Sequence, residues 1–277
     1  MDKETEIKIF NHGYVKVIDW MGSDEYVIRA ARQSTGKGFQ GWDKDAPLLK
    51  YLYSHKHMTP FEMSDLIIEV KAPIFVFREW HRHRTMSYNE FSARYSVMPD
   101  EHYLPEFKRV QTQDQVNKQG SGVPLDGVKA ASIVEELERD QKSVYKTYNM
   151  HLADGVAKEV ARINTPVARY SKMWAKSNLR NWLNFLQLRK ASDAQMEIRA
   201  YADAVSDIVR SLWPRTYELF EEYTLNAKTF SASEVQLLTE LLRDNPGLRM
   251  AQQAMGVKAH AELLGKLGLN NNSADNT

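Results

Sequence analysis

Leu66-Ile67-Ile68-Glu69-Val70, punctuated by Pro73 and continued as Ile74-Phe75-Val76-Phe77-Arg78-Glu79-Trp80, changes its apolar period in mid-course. The first half is a β-rich run that reads as a strand. In the second, Val76, Phe77 and Trp80 fit one face of a helix reaching about Arg84 better than they fit alternation. Upstream, Tyr14-Val15-Lys16-Val17-Ile18-Asp19 is a second strand ended by Gly22. Ser23 then caps a helix to about Gln33 whose first turn carries Asp24 and Glu25. A further helix turns Leu48, Leu49 and Leu52 to a core, and Thr59-Pro60-Phe61-Glu62 has capping-box spacing with proline at the first helical position. Downstream the chain is mostly helical. One stripe of Ile133, Leu137, Val144, Tyr148 and Leu152 stops at Gly155, and shorter helices cover 156–163, 179–188 and 196–212, the last closed at Pro214. Two more helices over 231–248 and 250–269 precede a frayed tail, and the polar stretch 111–127 between the halves reads as a long loop. A few strands among helices, then a run of helices, predict an α+β fold.

Composition narrows the function. The 277 residues carry 37 Lys plus Arg against 36 Asp plus Glu, so the net charge of +1 gives no global attraction to nucleic acid. No cysteine is present, which excludes disulfides, thiolate metal sites and cysteine nucleophiles within this chain. No metal centre is expected. No apolar run is long enough to cross a bilayer, and Met1 to Glu6 has no apolar core of a signal peptide, so the expectation is a cytoplasmic protein without membrane attachment.

The chemistry gathers between Arg78 and Tyr95. Arg82-His83-Arg84 is followed by Asn89-Glu90, Ser92 and Arg94, a set too polar for a core and too varied for a solvated charge run. Arginine forks grip phosphate in pairs of hydrogen bonds, imidazoles donate to phosphate or to a ring carbonyl, and the interleaved amide, carboxylate and hydroxyl suit ribose and a base. A nucleic-acid-binding module using the Arg82–Arg94 segment is the competing reading. Glu79 and Glu90 weigh against it, since both would repel a polyphosphate backbone.

The spacing of Arg82-His83-Arg84, seven residues, then Ser92 resembles the signature of the flavin-dependent thymidylate synthases. Four fixed positions would recur by chance in a chain of this length on the order of once in a thousand. His57-Met58-Thr59-Pro60-Phe61-Glu62, Glu159-Val160-Ala161-Arg162, Asn178-Leu179-Arg180, Asn184-Phe185-Leu186 and Leu188-Arg189 resemble further segments of the family in the same order, over about Ile7 to Tyr223.

The resemblance implies a central, mostly antiparallel sheet with flanking helices in one domain over residues 1–227, followed by a helical extension and flexible tail over 228–277. It implies reductive methylation of dUMP to dTMP, with methylenetetrahydrofolate as one-carbon donor, FAD as bound cofactor and NADPH as reductant. The sites would be shared between subunits of a homotetramer. Carried over residue by residue, His57, Thr59, Arg82, His83, Arg84, Glu90, Asn178, Arg180 and Asn184 fall at flavin positions. Glu79, Arg82, Glu90, Ser92, Arg94, Arg162 and Arg189 fall at dUMP positions. Arg189 is the residue expected to activate the uracil ring, by stabilising negative charge on a ring carbonyl; as a helix-end arginine it could instead simply pair with Asp193. Ser92 is expected to bind rather than attack, because no histidine is placed as its base. Glu79 stands where the family often has Gln. A flavoprotein oxidoreductase acting on another nucleotide is a second alternative.

Overall fold

A computed structural model describes residues 2–115, 118–243, 245 and 255–269, and divides the chain into two compact units, Met1–Leu225 and Asn226–Thr277. In the first, β1 (Glu6–Ile9) and β2 (Gly13–Met21) lead into α1 (Asp24–Arg32) and α2 (Trp42–Ser54). β3 (Asp65–Pro73) passes directly into α3 (Ile74–Trp80), and β4 (Ser87–Glu90) follows. A separate two-stranded sheet of β5 (Gln111–Gln113) and β6 (Ser121–Pro124) precedes the long α4 (Gly127–Ala153) and short α5 (Lys158–Ala161). Last come β7 (Tyr170–Asn178), α6 (Leu179–Arg189), α7 (Met196–Leu212) and α8 (Pro214–Phe220).

The main sheet runs β1-β2-β3-β7-β4 with every neighbouring pair antiparallel, as the α+β expectation requires. β3 and β7 pair along their whole length, from Asp65 opposite Asn178 to Pro73 opposite Tyr170. Successive side chains leave a strand on opposite faces, and Leu66, Ile68, Val70, Met173 and Ala175 fill the face turned to the helices. Trp182, Phe185 and Leu186 of α6 and Ile198, Val205 and Ile208 of α7 complete the same core. Each such side chain contributes about 1.5–3 kcal/mol on burial. The ring of Trp80, at the end of α3, sits 4.6 Å from that of Phe185 and fixes the two helices that carry the site.

Several sequence expectations need correction. β7 was not anticipated: its buried face is Ser171, Met173, Ala175 and Ser177, too small and polar to signal alternation against exposed Lys172, Trp174 and Lys176. α3 stops at Trp80 rather than near Arg84, because the amides of Arg82 and His83 turn back onto the carbonyls of Glu79 and Trp80. Thr59 opens a 3-10 turn, Thr59–Met63, without a side-chain cap. The stretch 111–127 is not a bare loop, since it holds β5 and β6 and reaches the start of α4.

Pro214 does not merely close α7; it begins α8. Proline lacks the amide hydrogen that a first helical turn leaves unpaired. The remaining amides, of Arg215 and Thr216, donate to the buried carboxylate of Asp24 at 2.8 and 3.0 Å.

In the second unit, α9 (Ala232–Leu242) begins with a capping box between Ser231 and Glu234, and α10 (Val257–Lys266) follows. Thr239 of α9 donates its hydroxyl to the Leu267 carbonyl just after α10. The tail expected over 270–277 lies outside the described residues, as do parts of the two helices expected there.

Candidate active site

Arg189 is the last residue of α6, and three hydrogen bonds fix its guanidinium. Nε donates to Nε2 of His83 at 3.0 Å, one terminal nitrogen to a carboxylate oxygen of Glu79 at 3.0 Å, and the other to the Glu79 backbone carbonyl at 2.8 Å. Its partner is therefore Glu79 and not Asp193. An arginine N–H can only donate, so His83 must accept through Nε2 and carry its one ring proton on Nδ1. His83 is buried, its ring centre 4.9 Å from that of Phe185 in an edge-on contact. Burial, and then the Arg189 charge, depress its pKa to about 4. Tyr88 of β4 donates to the His83 carbonyl at 2.8 Å and to that of Trp80 at 3.1 Å, which pins the turn holding the basic cluster.

The second carboxylate oxygen of Glu79, Oε1, is buried with no hydrogen-bond partner. Burial raises this carboxyl above the usual range, and Arg189 offsets only part of that. A cavity of about 360 Å³ opens here, lined by Glu79, Arg189, Leu188, Asp193, Gln119 and Gln195 among others. It offers donors from Arg189.

The neutral His83 has a consequence for stability. An unfolded histidine titrates near 6.5, so as pH falls through 6.5 the unfolded chain takes up a proton that the native chain refuses until about 4. This contribution is fully present above 6.5 and is lost progressively down to about 4. The thermal midpoint of the parent should therefore fall more steeply over that window than that of His83→Gln. Parallel curves would show that His83 is protonated in the native state.

A second cleft, of about 490 Å³, lies where β7 becomes α6. Asn178 caps α6, its side-chain oxygen accepting from the amide of Asn181 at 3.0 Å. Asn178, Arg180 and Asn184 all line the cleft, together with Lys56, Met58, Glu62, Thr85 and Gln187. Arg180 pairs with Glu62, so the upstream motif and the α6 motif meet across it. Amides and cations around a cleft of this size suit the ribose, phosphate and amide-like ring of a dinucleotide. Arg82 and Arg84 are exposed beside Thr85, and His57 and Thr59 are exposed next to Met58. The sequence reading missed Lys56, whose φ of 62° marks a strained turn, and Gln119 and Gln187, which no local pattern distinguishes.

The remaining residues form a third group. Glu90 accepts from the Ser171 hydroxyl at 2.8 Å. The Ser92 hydroxyl accepts the Arg94 amide at 3.3 Å rather than facing a histidine. Arg94 pairs with Glu159 at 3.3 Å on an exposed surface, and Arg162 lies in a 3-10 turn just after α5. None of Glu90, Ser92, Arg94 or Arg162 lines the Arg189 cavity or the Asn178 cleft. The chain thus holds the expected site residues in separate groups. Among the described residues no cluster of three carboxylates or histidines could hold a metal ion, and no helix is long and apolar enough to cross a membrane.

Comparison with known proteins bears on these pieces. The family described as "Thymidylate synthase complementing protein" matches residues 16–215. A flavin-dependent thymidylate synthase of Ehrlichia ruminantium (strain Gardel) is 44% identical over 237 residues, covering 86% of this chain and 80% of the relative. That of Anaplasma marginale (strain St. Maries) is 41% identical over 262 residues, covering 95% and 90%. Among solved structures, the UMP/dUMP methylase PolB from Streptomyces cacaoi bound with 5-Br dUMP has a TM-score of 0.71 at 30% identity, covering 79% of this chain and 98% of that one.

Proposed function

The chain belongs to the flavin-dependent thymidylate synthases, and from that premise we propose how its residues divide the work of converting dUMP to dTMP. The observation that carries the reading is Arg189, held rigid by His83 and Glu79 at the wall of a polar cavity, with the unpartnered Glu79 oxygen beside it. The reading includes NADPH as reductant, methylenetetrahydrofolate as one-carbon donor and a cytoplasmic location. It also takes residues 1–227 as the synthase domain and 228–277 as its helical extension.

The Asn178 cleft fits the flavin by its donor set. His57, Thr59, Arg82, His83, Arg84, Asn178, Arg180 and Asn184 would hold FAD, with Glu90 shared between cofactor and nucleotide. When bound, the flavin supplies the hydride that completes the methyl group. The chain supplies position and electrostatics. Arg82, Ser92, Arg94 and Arg162 would bind the phosphate and sugar of dUMP. Arg189 would donate to a uracil carbonyl and stabilise the enolate-like charge that makes C5 nucleophilic. Preorganisation is what its three hydrogen bonds provide: the guanidinium need not reorient as charge develops. Glu79, a carboxylate able to accept from the ring N3–H, would face the same edge.

A homotetramer with shared sites completes this reading. Its support is the separation of Ser92, Arg94 and Arg162 from the Arg189 cavity within one protomer.

Ser92→Ala tests the division of labour. A binding role costs a hydrogen bond worth about 0.5–1.5 kcal/mol, so the dUMP KM should rise about 2- to 13-fold with kcat largely kept. Abolished turnover with dUMP binding intact would instead make Ser92 a nucleophile and overturn the assignment.

A further inference from the structure

Helix α2 ends in a turn that suits a glycine and carries a lysine. Beyond His55, the amide of Lys56 donates to the Tyr53 carbonyl at 3.1 Å, and that of His57 to the Leu52 carbonyl at 2.8 Å. This pair of bonds closes a helix only when the residue at the Lys56 position is left-handed. Its φ is indeed 62°. Glycine adopts that conformation freely, whereas a residue with a Cβ is strained in it. The turn delivers the chain to His57, Met58 and Thr59, and a glycine would deliver it as well. Nothing in the turn itself calls for a lysine.

The side chain supplies the reason. Lys56 lines the cleft of about 490 Å³ where β7 becomes α6, and its ammonium lies 5.8 Å from the centre of the Tyr53 ring. That ring is fixed. Tyr53 is buried, its ring centre is 5.7 Å from that of Phe61 in an edge-on contact, and its hydroxyl is 2.9 Å from that of Thr224. The ionic side chains lining the cleft are Lys56, Arg180 and Glu62. Arg180 and Glu62 pair with each other. Lys56 pairs with no carboxylate among the described residues, so the uncompensated charge of the lining is its ammonium. A dinucleotide brings a diphosphate, and a point charge on a flexible stem meets such a group without a fixed geometry. We propose that Lys56 is a further cofactor-binding residue, its ammonium pairing with the diphosphate of the dinucleotide at the wall of this cleft. The strain of the turn is then the cost of placing that charge. This inference rests on the flavin reading of the cleft given above.

The test is FAD titration of the full-length protein freed of flavin, with thermal melting of the same samples. Lys56 is exposed, so its variants should fold normally. Lys56→Gln keeps the strained turn and removes the charge, and should raise the FAD Kd about 5- to 20-fold at low salt. High salt should narrow that gap, because an exposed ion pair is screened. Lys56→Arg, which keeps the charge, should retain most of the affinity. Lys56→Gly relieves the strain and removes the charge together. It should melt at or above the parent, by up to about 4 °C, while binding FAD as weakly as Lys56→Gln. Opposite movements of stability and affinity at one position separate a binding role from a structural one. A Kd within twofold of the parent in Lys56→Gln, an equal loss in Lys56→Arg, a gap that high salt leaves unchanged, or a glycine variant less stable than the parent overturns the inference and leaves the flavin site standing. A parent that binds no FAD contradicts the flavin reading and this inference with it.

Discussion

Arg189→Ala is expected to lower dTMP formation about 10²- to 10³-fold even at saturating dUMP, the cost of removing a preorganised donor from a developing oxyanion. The loss should fall on kcat, because charge on the uracil ring builds mostly in the transition state and ground-state binding gains little from the same contact. Oxidation of NADPH by the flavin should largely survive, since the Asn178 cleft and the Arg189 cavity are lined by different residues. The Lys variant separates charge from shape. An ammonium can keep an ion pair with Glu79 but cannot donate to His83 Nε2, to Glu79 and to a substrate carbonyl as the planar fork does. Lysine should therefore restore little. Near-normal methyl transfer by Arg189→Ala would remove the arginine from the chemistry.

The second large effect concerns the cofactor. Arg94, Arg180 and Arg189 each pair with a carboxylate of their own chain. Arg82 and Arg84 have no such partner among the described residues, and both are exposed beside the cleft. A guanidinium left uncommitted is available to an anionic ligand, and a charge-assisted hydrogen bond is worth about 1.5–3 kcal/mol. Replacing both by alanine should thus weaken FAD binding by about 100-fold or more, read by titrating apoprotein with FAD and following flavin fluorescence. Binding as tight as the parent's would move the flavin contacts elsewhere.

Much of this site was legible in the sequence because its residues lie close together in the chain. The turn after Trp80 keeps Arg82, His83 and Arg84 within one short segment, and Asn178 caps the one helix that carries Arg180, Asn184 and Arg189, so spacing alone could reveal them. The pairing of Arg189 with Glu79 and His83 was not legible: it spans more than a hundred residues and depends on α3 and α6 meeting through Trp80 and Phe185. β7 escaped because three of the four residues on its buried face, Ser171, Ala175 and Ser177, are small or polar and carry little hydrophobic signal. The role of Pro214 escaped for a similar reason. Its cap is Asp24, which is close only in the folded chain.

Product analysis is the most direct test of the central claim. Purified protein supplied with FAD, NADPH, dUMP and methylenetetrahydrofolate should form dTMP together with an equal amount of tetrahydrofolate, because the hydride comes by way of the flavin and the folate is not oxidised. Absence of dTMP, or dTMP accompanied by an equal amount of dihydrofolate, would contradict the account.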